Sequence, residues 1–148
     1  MTKASLIDFL KKEITEKIEA VLSELNGIQK AKASETKSSA GDKYETSREM
    51  MRFEEEKANT QLSKLRQQLH QLKQINPTQT HDTIQFGSLV VTSESTFLMG
   101  IPVGKVNFQD QEVFAISLAS PMGQNFLKKQ VGDEISMNNL TYKITEIN

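Results

Sequence analysis

Cysteine and tryptophan are both missing from this chain of 148 residues, and histidine occurs only twice. Without cysteine there can be no disulfide, thiol nucleophile or thiolate metal site. His70 and His81 are too few for a histidine-based zinc site, so any metal would have to be a hard cation held by carboxylates. No apolar run reaches the roughly 18 residues that a membrane span needs, and the first residues carry no apolar signal core. The expectation is a cytoplasmic protein with no membrane partner. Aromatic residues make up 6% of the chain and hydrophobic residues 36%, with a mean hydropathy of -0.47, so one large core is not expected and an elongated shape is. A net charge of -1 excludes a globally basic nucleic-acid binder but leaves room for a local basic patch.

Proline and glycine are distributed unevenly. Residues 1–76 contain no proline and only Gly27 and Gly41, while carrying 14 Lys/Arg and 12 Asp/Glu, a helical composition. Apolar residues recur there in steps of three and four: Leu10, Ile14, Ile18, Val21, Leu25, Ile28 and Ala31, then Met51, Ala58, Leu62, Leu65, Leu69 and Leu72, with Glu55 interrupting the second series. Such spacing predicts two helices, each with a narrow apolar stripe. Between the stripes, Lys32 to Gly41 is rich in Ser, Thr, Lys and Gly, and the chain can reverse there. The prediction is an antiparallel coiled-coil hairpin over 1–76, with arms of about 30 residues and ~45 Å. A dimerising stalk of straight helices is the alternative; a hairpin that spends each stripe on its own partner arm predicts a monomer.

Pro77 ends the helical pattern because it lacks an N–H and disfavours helical geometry at Asn76, making 77–81 a linker. In 82–148 the pattern shortens into β-like runs at Ile84–Thr92, Thr96–Val103, Val113–Leu118 and Leu140–Ile147. One short helix is expected among them, with Ser120 as N-cap, Pro121 in its first turn, and Phe126 and Leu127 on its apolar face. The fold class is therefore α+β. Gly100 and Gly104 lack the strand–loop–helix setting of a phosphate-cradling motif, and neither histidine lies in a nucleophile motif.

The chemistry-bearing constellation is Gly41, Asp42, Lys43, Tyr44 and Glu45. Asp42 and Glu45 are three apart where the second helix should start, so their carboxylates occupy adjacent positions near the hairpin tip, at 41–46. One reading is helix capping, with Asp42 as N-cap and Glu45 reaching back. The other is an acidic point inside a basic collar of Lys30, Lys32, Lys37, Lys43, Arg48 and Arg52, a pattern suited to a metal held against a phosphate backbone.

The run from Ala115 through Ser120, Pro121, Met122, Gly123, Gln124 and Leu127 to Val131, Gly132, Asp133, and then Tyr142, Lys143, Ile144, resembles the C-terminal signature of the Gre transcript-cleavage factors. The N-terminal half is similar to that family in plan, with Gly41-Asp42, two residues, then Glu45 at the tip. The resemblance covers nearly the whole chain. It implies that the C-terminal domain is FKBP-like and grips the rim of the secondary channel of bacterial RNA polymerase, with Ser120, Pro121, Gly123 and Gln124 as polymerase-binding residues. It also implies that Asp42 and Glu45 complete a second Mg²⁺ in the polymerase active site, shared with the polymerase and not bound tightly by the free protein. The chain would then be no enzyme itself; it would stimulate the polymerase's own cleavage of backtracked RNA. Lys43, Tyr44, Arg48 and Arg52 would contact the nascent RNA 3′ end, with Thr46 and Ser47 positioning water or RNA. Around the acids, Lys43-Tyr44 and Thr46-Ser47-Arg48-Glu49 depart from the family pattern, which points to a second reading as a secondary-channel regulator that does not cleave. A coiled-coil chaperone is a third.

Overall fold

The computed structural model describes residues 1–35 and 41–148, leaving the side chains of residue 35 and of 41–44 undescribed. Two long helices come first: α1 (Lys3–Glu35) and α2 (Gly41–Lys73), a helical hairpin of 33 residues per arm. They are followed by β1 (Leu89–Thr92), β2 (Thr96–Met99), β3 (Gly104–Phe108), β4 (Gln111–Ile116), α3 (Pro121–Phe126), β5 (Glu134–Met137) and β6 (Leu140–Ile147). The architecture is α+β, as the composition shift at residue 77 predicts. Among the described residues, no helix is long and apolar enough to cross a membrane.

The chain divides into two compact units, residues 1–11 with 70–148, and residues 12–69. In the second unit the apolar stripes are buried: Ile14, Val21 and Ile28 on α1, and Ala58, Leu62 and Leu65 on α2. The stripes depart from expectation at their edges, since Ala31 is exposed and Leu69 is half-buried while its neighbour Gln68 is buried. Helix α1 continues through Glu35, beyond the Lys32 at which the stripe fades. The reversal itself, at 36–40, lies outside the described residues.

In the first unit the two helix ends join the sheet. Thr2 and Ser5 cap α1 reciprocally: the Ser5 N–H donates to Thr2 Oγ1 at 3.1 Å and the Thr2 N–H to Ser5 Oγ at 3.0 Å, satisfying donors that a helix start leaves unpaired. The Phe9 and Phe108 rings stack at 4.8 Å between centroids, and Lys3 Nζ donates to the Gln79 carbonyl at 2.5 Å. The six-stranded sheet has the order β3-β4-β2-β1-β6-β5, antiparallel except where β2 runs parallel to β4. Ile84, Val90, Phe97, Met99, Phe126, Ile135, Tyr142 and Ile144 form its core, and Phe97 sits 4.9 Å from the Phe126 ring and edge-on to Tyr142.

Strand boundaries shift from those expected. The run Ile84–Thr92 becomes a strand only from Leu89, because Ile84 exchanges backbone hydrogen bonds with the Lys128–Lys129 segment after α3. The run Thr96–Val103 stops at Met99, where Gly100 takes a φ of 113°. Strands β3 and β5 were not expected at all. Each begins a hairpin whose turn, Gln109-Asp110 or Asn138-Asn139, holds two consecutive left-handed residues, the geometry of a two-residue turn, yet neither turn contains the glycine that usually announces it.

The junction between the α1 start and the sheet predicts a pH response. His81 Nδ1 lies 2.7 Å from Oγ of buried Ser88, which also accepts the Gln85 N–H. Partial burial, and secondarily the charge of Lys3, lower the His81 pKa from its usual 6.5; burial lowers that of Lys3. The unfolded chain therefore binds the His81 proton more readily, so this part of the stability is fully present above pH 6.5 and is lost as pH falls from there through the lowered folded value. The melting temperature is expected to drop between pH 7.5 and 5.5, and His81→Asn should flatten that slope. An unchanged slope in the variant would remove His81 from the account.

Candidate functional site

Helix α2 already includes Gly41, so Asp42 lies inside its first turn and not at the cap position ahead of it. Position 45 follows three residues later, about 4.5 Å along the axis and on the same side. The Glu45 side chain is exposed; those of Asp42, Lys43 and Tyr44 lie outside the description. Carboxylates in a helix's first turn also meet the positive end of its dipole, which stabilises them whatever else they do.

Below the acids the face continues through Arg48 and Arg52, both exposed, with Thr46 exposed and Ser47 half-buried beside it. Arg52 Nε lies 3.4 Å from Glu56 Oε1, an exposed pair one turn apart that costs little to break. Phe53 and Met50 are also exposed, by 68% and 62%, so an aromatic and a thioether stand among these charges. Of the expected basic collar, Lys30 faces solvent, while Lys37 lies outside the described residues. Lys32 is different: its ammonium pairs with Glu55 of the other arm, and both side chains are largely buried. In the amino-acid order Lys32 belongs to the collar and Glu55 interrupts the stripe; the structure brings them together. The available signal was that interruption, since a carboxylate in an apolar seam needs a cation from the facing helix.

Two carboxylates offer hard oxygen donors of the kind Mg²⁺ takes, in a number that leaves most of an octahedral shell to water, phosphate or other protein. Among the described residues, no group of three or more His, Cys, Asp or Glu side chains could hold a metal. Residues 42 and 45 supply two donors of this kind.

The second group of expected contact residues sits at the start of α3. Ser120 is the N-cap, its Oγ accepting the Gly123 N–H at 3.0 Å and donating to the Ser117 carbonyl at 2.6 Å. Pro121 occupies the first turn, Gly123 is buried, and the Gln124 N–H donates to the Ser120 carbonyl at 2.9 Å. Ser120 and Gly123 are accounted for by the local turn, whereas Pro121 and Gln124 are exposed.

No family model matches the chain, and no curated protein matches it. Among solved structures it is similar to the transcription factor Gfh1, at 18% identity over 93% of this chain and 92% of that one, with a TM-score of 0.37, a likeness too loose to carry an argument about site or activity.

Proposed function

We propose that this chain is a transcription elongation factor that enters the secondary channel of bacterial RNA polymerase and stimulates cleavage of backtracked RNA. The observation that carries the reading is the place of the acids: Glu45 exposed in the opening turns of a 33-residue helix, three residues after Asp42, at the end of the arm remote from the sheet-bearing unit in sequence. The order of parts, hairpin first and the Ser120-Pro121 to Val131-Gly132-Asp133 stretch after it, supports the same reading.

Asp42 and Glu45 are the residues that would hold Mg²⁺ together with the polymerase. When bound, that ion supplies Lewis-acid activation of a water for in-line attack on the RNA phosphodiester. Arg48 and Arg52 on the same helix face, with Lys43, hold RNA phosphates, and Arg52 exchanges Glu56 for a phosphate at little cost. Tyr44, Thr46 and Ser47 supply hydroxyls to orient RNA or water. The chain contributes no complete active site of its own; it brings donors to one.

The substituted tip, with Lys43-Tyr44 between the acids and Thr46-Ser47-Arg48-Glu49 after them, favours a second reading in which the same arm occupies the channel without cleaving. One experiment separates the two. The protein is added to a stalled, backtracked elongation complex, and Mg²⁺-dependent release of short 3′ RNA fragments is followed. Fragments support the first reading. Altered elongation without fragments supports the second, and no effect on the complex overturns both.

A further inference from the structure

The apolar stripes of the hairpin do not define how its arms align. Ile14, Val21 and Ile28 are seven apart, as are Ala58, Leu65 and Leu72, and half-heptad positions such as Leu62 and Ile18 are apolar too. Sliding one arm along the other by a turn, or by two, therefore still sets apolar residues against apolar residues. The segment between the arms is rich in Ser, Thr, Lys and Gly and has no proline to stop either helix at a set residue.

Lys32 and Glu55 break that degeneracy. They interrupt the two seams at one level and pair with each other, with 31% and 25% of their side chains exposed. From this pair the seams climb together: four residues back to Ile28 on α1 and three forward to Ala58 on α2, then seven more to Val21 and to Leu65. A one-turn slip in one direction would set Glu55 against Ile28 and Lys32 against Met51. A slip in the other would set Lys32 against Ala58 and bring Glu55 level with Glu35. Each alternative leaves a poorly hydrated charge without its partner or opposes two like charges, whereas the native alignment does neither.

We propose that the Lys32–Glu55 pair sets the register of the hairpin and that both are positioning residues for Asp42 and Glu45. The part of this concerning the tip acids rests on the cleavage reading. A one-turn slip moves α2 by ~5.4 Å relative to α1. That distance exceeds any metal–carboxylate bond, at ~2 Å for Mg²⁺, more than twice over. Register therefore decides whether the acids reach a shared ion.

The test uses the full chain, whose lack of cysteine allows clean spin labelling at Thr15→Cys and Asn59→Cys, exposed positions on opposite arms that lie out of level by roughly 18 Å along the axis, so that a slip registers in the distance. Electron–electron distance measurements should show one narrow distance in the otherwise unsubstituted protein. Lys32→Glu or Glu55→Lys should shift or broaden it by ~4 Å, the part of a one-turn slip that lies along the line between the labels, and the combined swap Lys32→Glu/Glu55→Lys should restore it. In the backtracked complex, each single variant should cut fragment release at saturating factor by about 10-fold or more, as misplacement does. Affinity should stay within a few-fold, and the swap should recover release. Should a charge reversal melt the arm, Glu55→Gln, which keeps the shape and removes the charge, is judged by the same distance. An unchanged distance in the single variants, or a swap that restores nothing, overturns the proposal. Absence of fragments from the unsubstituted protein ends the cleavage reading alone, since the distances still decide the register.

Discussion

Asp42→Ala combined with Glu45→Ala is expected to lower RNA cleavage in a backtracked complex by about 100-fold or more, the scale on which loss of charge-stabilising groups at a reacting centre is felt. Polymerase affinity should stay within a few-fold, because on the proposed reading the contacts that seat the factor would come from the rest of the arm and from the C-terminal unit. The competing account has its own signature. If the two acids only stabilise the start of α2 through the helix dipole, their removal costs about 0.3–1 kcal/mol each and nothing in cleavage. Denaturant unfolding of the double variant beside a cleavage time course therefore decides between them. Lost cleavage with nearly unchanged unfolding supports the shared-metal role, whereas unchanged cleavage with a lowered midpoint leaves only the helix-end role. Exposure of Glu45 makes a large folding penalty unexpected in either case.

The second large effect falls on stability. A Cβ built on Gly123 would stand 2.1 Å from the Ser117 carbonyl oxygen and 2.9 Å from Leu118 Cα, both backbone atoms that cannot rotate away. Helix propensity favours alanine over glycine by about 1 kcal/mol. Overpacking against backbone costs about 1–3 kcal/mol and more when nothing can yield, so the clash wins. Gly123→Ala is expected to destabilise the sheet-bearing unit by about 2 kcal/mol net, the upper end of the clash less the propensity gain, read from urea unfolding. Ser120→Ala gives the scale for comparison: it removes one N-cap and should cost ~1 kcal/mol. A Gly123→Ala variant as stable as the parent would show that the Ser117–Ser120 turn can open. In a polymerase-binding assay, Gln124 is the better probe of contact, since its side chain is exposed and its change leaves the cap in place.

These two predictions differ in what made them visible. The tip acids could be picked out in the amino-acid order because they are three apart next to a glycine and follow a stripe that fades, all local features. The clash at Gly123 could not. It arises because Ser120 Oγ bridges the Gly123 N–H and the Ser117 carbonyl, folding the segment back on itself until no room is left for a Cβ. Likewise β3 and β5 were missed because Gln109-Asp110 and Asn138-Asn139 turn the chain without glycine, and their left-handed conformation is held by the ladders on either side. Strand β5 shows only one buried side chain, Ile135, so its burial pattern is too thin to declare it.

Periodicity and punctuation in the chain itself determined the two long helices and the capped helix after Ser120. Each depends on contacts within a turn or two, where spacing alone says which side chains share a face. Tertiary structure alone decided the parallel pairing of β2 with β4, the stacking of Phe9 on Phe108, and the pairing of Lys32 with Glu55. Those partners are separated by 17 to 99 residues, and although Glu55 marks itself by interrupting the stripe, nothing within a turn or two of it names Lys32 as its cation. Only when the arms align is the carboxylate in the seam matched to its cation, because burial then makes every unmatched arrangement costly.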